Sequence, residues 1–275
     1  LRVFARLELL EIWRSRWLPV VMGAYLLLAA LGMWLGMYES RVMSFTGIQR
    51  VSANVSFTVL LGVPLLSLIA SCHSVVKART GGVAELFLVH PVRRESWFRA
   101  LLVAHLLTLG LPVLILNLTL AALGAALGAL DGPSAVALLR AALITCSLTA
   151  AFTGLGLCLS AYARSTERAT VLALLSLLLT TFLHDAALIS ALLRIRLVAP
   201  AVLALAALNP VGAARTAMFA THDPELSTLG PVGFWLVHHA GADAIVTLGV
   251  LWPASLGAVL AFLAERRFCR SDAVA

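Results

Sequence analysis

Long uninterrupted apolar runs limit the folds open to this chain more than any other feature. Six of them, at about 17–38, 51–76, 97–130, 134–162, 169–193 and 243–263, match or exceed the roughly 20 residues a helix needs to cross a bilayer. Lipid offers no partner to backbone N–H and C=O groups, so a spanning segment satisfies them as a helix or in a closed barrel. The runs are continuous, not the alternating segments of an outer-membrane barrel. A chain that is 61% hydrophobic and only 12% charged has too little polar surface for a soluble domain of this size. The expected fold is an all-α integral membrane protein with six transmembrane helices over 17–275. Residues 1–16 are expected to form an interfacial helix, with Val3, Phe4, Leu7, Leu10 and Trp13 at helical spacing among arginines and glutamates. The first run is full span length and follows this charged stretch, so a cleaved signal peptide is not expected.

The basic residues set the orientation. Fourteen of the 20 Lys and Arg fall on the side of the two termini and residues 77–99; six, at Arg41, Arg50, Arg140, Arg194, Arg196 and Arg215, fall on the other. That bias places both termini and 77–99 in the cytoplasm and 194–242 in the periplasm. The net charge of +7 follows from this pattern, so nucleic acid is not an expected partner. Cys72, Cys146, Cys158 and Cys269 are scattered with no C-x-x-C pair, so neither a zinc site nor a redox motif is signalled.

One polar stretch, from Lys77 to Arg99, interrupts the apolar runs. It holds the only lysine, Arg79, Arg93, Arg94, Gly81, Gly82 and Pro91. Leu86, Phe87 and Val89 can form an apolar patch, with Glu85 and His90 pointing elsewhere. Residues 84–89 are expected to be a short surface helix. Gly81 and Gly82 allow the turn out of the second span, and Pro91 stops the helix. Such a segment suits docking by a soluble partner; the competing reading is a solvated loop carrying topology charges.

Inside the spans, Gly32 and Gly36 form a G-x-x-x-G pair that permits close helix contact. Pro64 and Pro112 are expected kinks. His105 is a polar interior candidate. His184-Asp185 lies in the outer half of the fifth span, where a carboxylate must face protein or water. In 194–242, the run 197–208 is too short to span, Asn209-Pro210 breaks it, and 211–219 looks like a second short helix. His222, Asp223, His238 and His239 would bind a metal only if they converged; a solvated loop is the favoured reading, and no metal site is expected.

Catalytic motifs are missing. The sole lysine is followed by Ala78, not by the Ser or Thr of a P-loop. No histidine is followed by glutamate, and no G-x-S-x-G occurs. The chain is not expected to be an enzyme by itself or to hold a cofactor.

The spacing from Gly81-Gly82 to Pro91 and Arg94, then His105, Asp185 and Leu208-Asn209-Pro210, resembles ABC-2 type (type V exporter-like) permeases, the membrane halves of ABC transporters. More narrowly, it resembles permeases of the nitrous-oxide reductase maturation system. It departs from them at Lys77, Ala78, Arg79 and Thr80, where acidic residues are usual, and at Leu101, where a lysine is common. The resemblance implies a homodimer in the bacterial inner membrane, joined by two copies of a NosF-like ATPase that bind ATP and Mg. It also implies a NosD-like periplasmic protein, with a copper chaperone nearby, serving the copper-sulfur centre of the reductase. On this reading Gly81, Gly82, Glu85, Leu86, Phe87, His90, Pro91 and Arg94 couple to the ATPase. His105, His184 and Asp185 are intramembrane polar or pathway residues. Asn209, Pro210 and Arg215 meet the periplasmic partner, and Gly32 and Gly36 pack the dimer. The alternatives are a general ABC-2 exporter of a lipid, drug or glycan, and a membrane scaffold that transports nothing.

Overall fold

The computed structural model describes residues 20, 23–31, 34, 47–81, 93–126, 130–195 and 199–270. Helices account for nearly all of them, and no strand occurs among the described residues. After helical residues 23–31 come α1 (Gly47–Ser71), α2 (Ser74–Thr80), α3 (Arg94–Ala126) and α4 (Gly132–Tyr162). Next are α5 (Thr166–Leu177), a π-helical turn (Leu178–Leu183) and α6 (His184–Ile195), which together form one rod. The chain then folds into α7 (Ala199–Leu208), α8 (Pro210–His222) and α9 (Gly230–Ala240), and returns along α10 (Ala242–Arg270).

Five helical stretches among the described residues are long and apolar enough to span: Val51–Thr80, Arg94–Ala126, Gly132–Tyr162, Thr166–Ser190 and Ala242–Arg270. The chain is therefore a multi-pass membrane protein. Of the expected first span at 17–38, residues 20, 23–31 and 34 are described and helical; the interfacial helix at 1–16 and the pair Gly32 and Gly36 lie outside the described residues. α3 is 33 residues long, about 50 Å at 1.5 Å per residue, and so overruns the bilayer as its sequence length implies.

α4 is the central post. Its hydrophobicity runs all the way round, and most of its side chains from Ala141 to Ala161 are buried, while Val136, Leu139 and Leu143 near its start are exposed. α1, α3, α8 and α10 pack against it. The turn before it is built as its residues dictate: Asp131 accepts a hydrogen bond from the Ser134 N–H at 3.0 Å, and Pro133 sits in the first turn, where a missing N–H costs nothing. The contact between α4 and α10 is backbone on backbone. A Cβ on Gly154 would fall on the Gly257 carbonyl, and one on Gly257 would fall on the Ala150 carbonyl. α10 in turn meets α8 at Gly249, where a side chain would strike Ala217 and the Ala213 carbonyl.

The rod α5–α6 is the least embedded element. Within α5 only Ala169 and Ala173 are buried, and Leu175, Leu179, Phe182 and Ile189 are exposed on it. Those side chains face lipid or another chain. The region between the fifth and last spans is more helical than its sequence suggests. The helix expected at 211–219 runs from Pro210 to His222, and α9 arises where no helix was anticipated.

Candidate coupling site

The end of the bundle that carries Lys77, Arg79, Arg94, Arg99, Arg164 and Arg267 is built around a break in the second span. The helix runs on through Pro64, which lies inside α1. It interrupts itself at Cys72-His73 and restarts as α2. Restarting a helix exposes fresh N–H groups that need partners. Two of these, on Val75 and Val76, both donate to the Ser160 hydroxyl of α4 at 3.0 Å. The favour is returned at the other end of α2. Arg79 Nη2 donates to the carbonyls of Ser160, Ala161 and Ala163 at 3.1, 2.9 and 3.1 Å, closing the C-terminus of α4. Each helix thus caps the other.

His105 belongs to the same assembly. It is buried on α3, with Nδ1 at 2.9 Å from the Leu101 carbonyl and Nε2 at 2.8 Å from the Ser74 hydroxyl. The carbonyl can only accept, so Nδ1 carries the proton and Nε2 accepts from Ser74. His73 Nε2 lies 2.8 Å from the Thr170 hydroxyl of α5. An apolar cluster of Val75, Ala78, Trp97, Phe98, Leu157 and Phe268 fills the space beneath α2. Trp97 and Phe268 hold their rings 5.0 Å apart. At the rim, Arg99 pairs with Glu265 at 2.8 Å, and Arg94 Nη1 reaches the Cys269 carbonyl at 3.5 Å.

Gly81 closes α2, its N–H bonded to the Lys77 carbonyl, with φ −89°. That conformation suits any residue, so the freedom of glycine is not used there. Gly82, Glu85, Leu86, Phe87, His90 and Pro91 lie outside the described residues. The segment they occupy is bracketed by α2 and α3, both anchored as above.

At the opposite end, the structure joins residues that the sequence reading had given separate roles. Asp185 Oδ2 on α6 and Arg215 Nη1 on α8 form an ion pair at 2.7 Å, each side chain about a third exposed (31% and 32%). Asn209 caps α8, its side chain accepting from the Val211 N–H at 3.0 Å. Its amide also donates to the Thr180 carbonyl. That carbonyl lies in the π turn, where the His184 N–H bonds five residues back to Leu179. A π turn shifts the helix hydrogen-bond register and leaves a carbonyl to be satisfied from outside. Pro210 follows as the first residue of α8. Asp185 therefore points at protein, as its cost in lipid demands. Arg140 and Asp243 form a further pair at 2.6 Å.

His222 packs against Phe57, with ring centroids 6.1 Å apart, and burial pushes its imidazole from 6.5 down to about 4. Asp223 loses some hydration, which raises its carboxyl. Hydrogen bonds from the Ser227 hydroxyl and the Thr228 N–H outweigh this and hold it below the usual range. Among the described residues, no three His, Cys, Asp or Glu side chains gather at metal-ligand range. An apolar cavity of about 310 Å³ lies between α7, α8, α9 and α10, lined by Ala207, Ala213, Leu236, Ala244 and Leu248.

Ser160, Ser74 and Thr180 were missed by sequence reasoning. A serine or threonine inside an apolar run reads as filler, and nothing local marks its hydroxyl or carbonyl as a distant helix's cap.

A family model described as ABC-2 family transporter protein matches residues 2–272. The chain belongs to the ABC-2 transporter family. It is 32% identical over 111 residues to a protein of Stutzerimonas stutzeri described as "Probable ABC transporter permease protein NosY". It is 28% identical over 111 residues to the protein of the same description from Pseudomonas aeruginosa. Each alignment covers 40% of this chain and 40% of the relative. The chain is an ABC transporter permease subunit.

Proposed function

We propose that this permease works with a separate, NosF-like ATPase to assist maturation of the copper-sulfur centre of nitrous-oxide reductase. It would act as a homodimer in a bacterial inner membrane, with both termini cytoplasmic. The observation that carries this reading is the similarity to two NosY-described permeases, over part of the chain. In this account residues 82–92 receive the ATPase at the cytoplasmic face, and the ATP and Mg chemistry takes place wholly on that partner. α7, α8 and α9 present the periplasmic surface to a NosD-like protein. The anchoring of α2 and α3 on either side of 82–92 supports a coupling role, because a tethered segment passes on a push that a free loop would absorb.

The test is replacement. A Stutzerimonas stutzeri strain lacking its own NosY receives this chain, and nitrous-oxide reductase is purified from it. Recovery of the copper-sulfur centre, read by its visible absorption and by copper and sulfide content, is the expected result. A permease that inserts and binds the resident ATPase, yet yields reductase without that centre, contradicts the maturation role and leaves a general ABC-2 exporter.

A further inference from the structure

We infer that Ser160 and Arg79 are positioning residues that lock α2 to the end of α4. A displacement at residues 82–92 is thereby carried through α4, α10 and α8 to the opposite face as the movement of one rigid body. The inference rests on the coupling role proposed above for 82–92.

α2 depends on its neighbours to exist. Seven residues are far too few to hold a helix without tertiary support. Its first turn is instead completed by the Ser160 hydroxyl, which accepts from both Val75 and Val76. Its last turn supplies Arg79, whose Nη2 meets three carbonyls at the negative end of the α4 dipole. Ser160 is fully buried. Hydrogen bonds at both ends of so short an element leave it no independent swing. Pulling α2 away would strand two N–H groups and three carbonyls.

Beyond the joint, the body is stiff for a stated reason. Flexible side chains between helices absorb motion by changing rotamer, whereas direct backbone contact cannot. α4 meets α10 through Gly154 and Gly257, and the Ser147 hydroxyl donates across to the Val250 carbonyl. α10 meets α8 through Gly249. α8 carries both groups that hold the far half of the fifth span, Asn209 on Thr180 and Arg215 on Asp185. That span is otherwise little buried. Those two contacts are the joints where the body meets the fifth span, so its movement appears at the far end as a change in the angle between α8 and α6 about them.

The experiment uses the full permease with its ATPase in lipid nanodiscs. Cys72, Cys146, Cys158 and Cys269 are replaced, and nitroxides are placed through Ser190→Cys on α6 and Thr228→Cys beyond α8. Electron–electron distance measurements are made without nucleotide and with ATP trapped by vanadate. In the otherwise unmodified complex a nucleotide-dependent change in the 190–228 distance is expected; its absence would sink the coupling role itself. With Ser160→Ala and Arg79→Met together, the ATPase is expected to stay bound and to hydrolyse ATP, while the distance change is lost. Arg79→Lys, which keeps a charged donor for the same carbonyls, is expected to retain part of it. Ser160→Ala alone leaves no void and is expected to reduce the change, so the inference stays testable if the double variant folds poorly. Full retention of the distance change in Ser160→Ala, or in the double variant, overturns the joint. A melting temperature lowered equally in Arg79→Met and Arg79→Lys, with equal loss of the distance change, also overturns it, since that marks a support for folding only.

Discussion

Asp185→Leu is expected to damage the protein more than Asp185→Asn, and the reason is Arg215. Considered alone, a carboxylate in a membrane span is a burden that leucine would relieve. The ion pair at 2.7 Å reverses that order, because leucine leaves the guanidinium half-buried without its partner. Two unit charges about 4 Å apart attract by about 4 kcal/mol at an effective dielectric of about 20, before desolvation is subtracted. Exposed pairs retain at most about 1 kcal/mol, while breaking a fully buried pair costs about 3–5 kcal/mol. With each side chain about a third exposed, the coupling falls between these limits, at about 1–2 kcal/mol. A double-mutant cycle over Asp185→Asn and Arg215→Gln, read from unfolding midpoints in mild detergent, isolates that term. The exchanged pair, Asp185→Arg with Arg215→Asp, should recover part of the stability lost by either change alone. Strict additivity in the cycle, with no recovery on exchange, would show that the two groups do not hold α6 to α8.

Further outcomes follow from other parts of the bundle. His222 is held neutral with its pKa lowered to about 4, so the unfolded chain binds the extra proton between 6.5 and 4 and stability falls as pH drops through that window. His222→Phe should flatten this pH dependence of the unfolding midpoint, and an unchanged slope would place the effect elsewhere. Gly257→Val should separate α4 from α10 and cost about 1–3 kcal/mol or more. Gly110→Ala, where a Cβ meets open space, should be neutral or stabilise by up to about 1 kcal/mol; thermal unfolding of the two variants compares them directly. For orientation, an impermeant thiol reagent on intact cells should label Ser227→Cys and not Ser271→Cys, in a background lacking native cysteines. The reverse pattern would invert the topology.

What could be read from the sequence was what depends on local pattern. Span positions followed from apolar run length. Asn209-Pro210 marked a helix boundary because proline suits a first turn and asparagine caps it. The rest depended on contacts between distant residues. Nothing near Cys72-His73 breaks a helix by propensity; the break persists because Ser160, 85 positions from Val75, satisfies the freed N–H groups. Pro64 and Pro112, the expected kinks, each sit inside a helix that continues past them, as a kinking proline does. The π turn at Leu178–Leu183 has no signature in its leucines and threonines, and its partner Asn209 lies 29 positions on from Thr180. Asp185 and Arg215 were each singled out, but for different roles, because spacing along the chain does not reveal that α6 and α8 lie side by side.

The most direct measurement of the account is co-purification of the permease with its ATPase when the segment between α2 and α3 is altered. Truncating a central apolar anchor of an interface typically costs on the order of 2 kcal/mol or more. Leu86→Ala or Phe87→Ala should therefore weaken association at least about tenfold, with membrane insertion intact. Combining both with Glu85→Arg should abolish recovery of the ATPase. A triple variant that still brings down the ATPase in full and still supports ATP-dependent function would contradict the claim that residues 82–92 are where the two subunits meet.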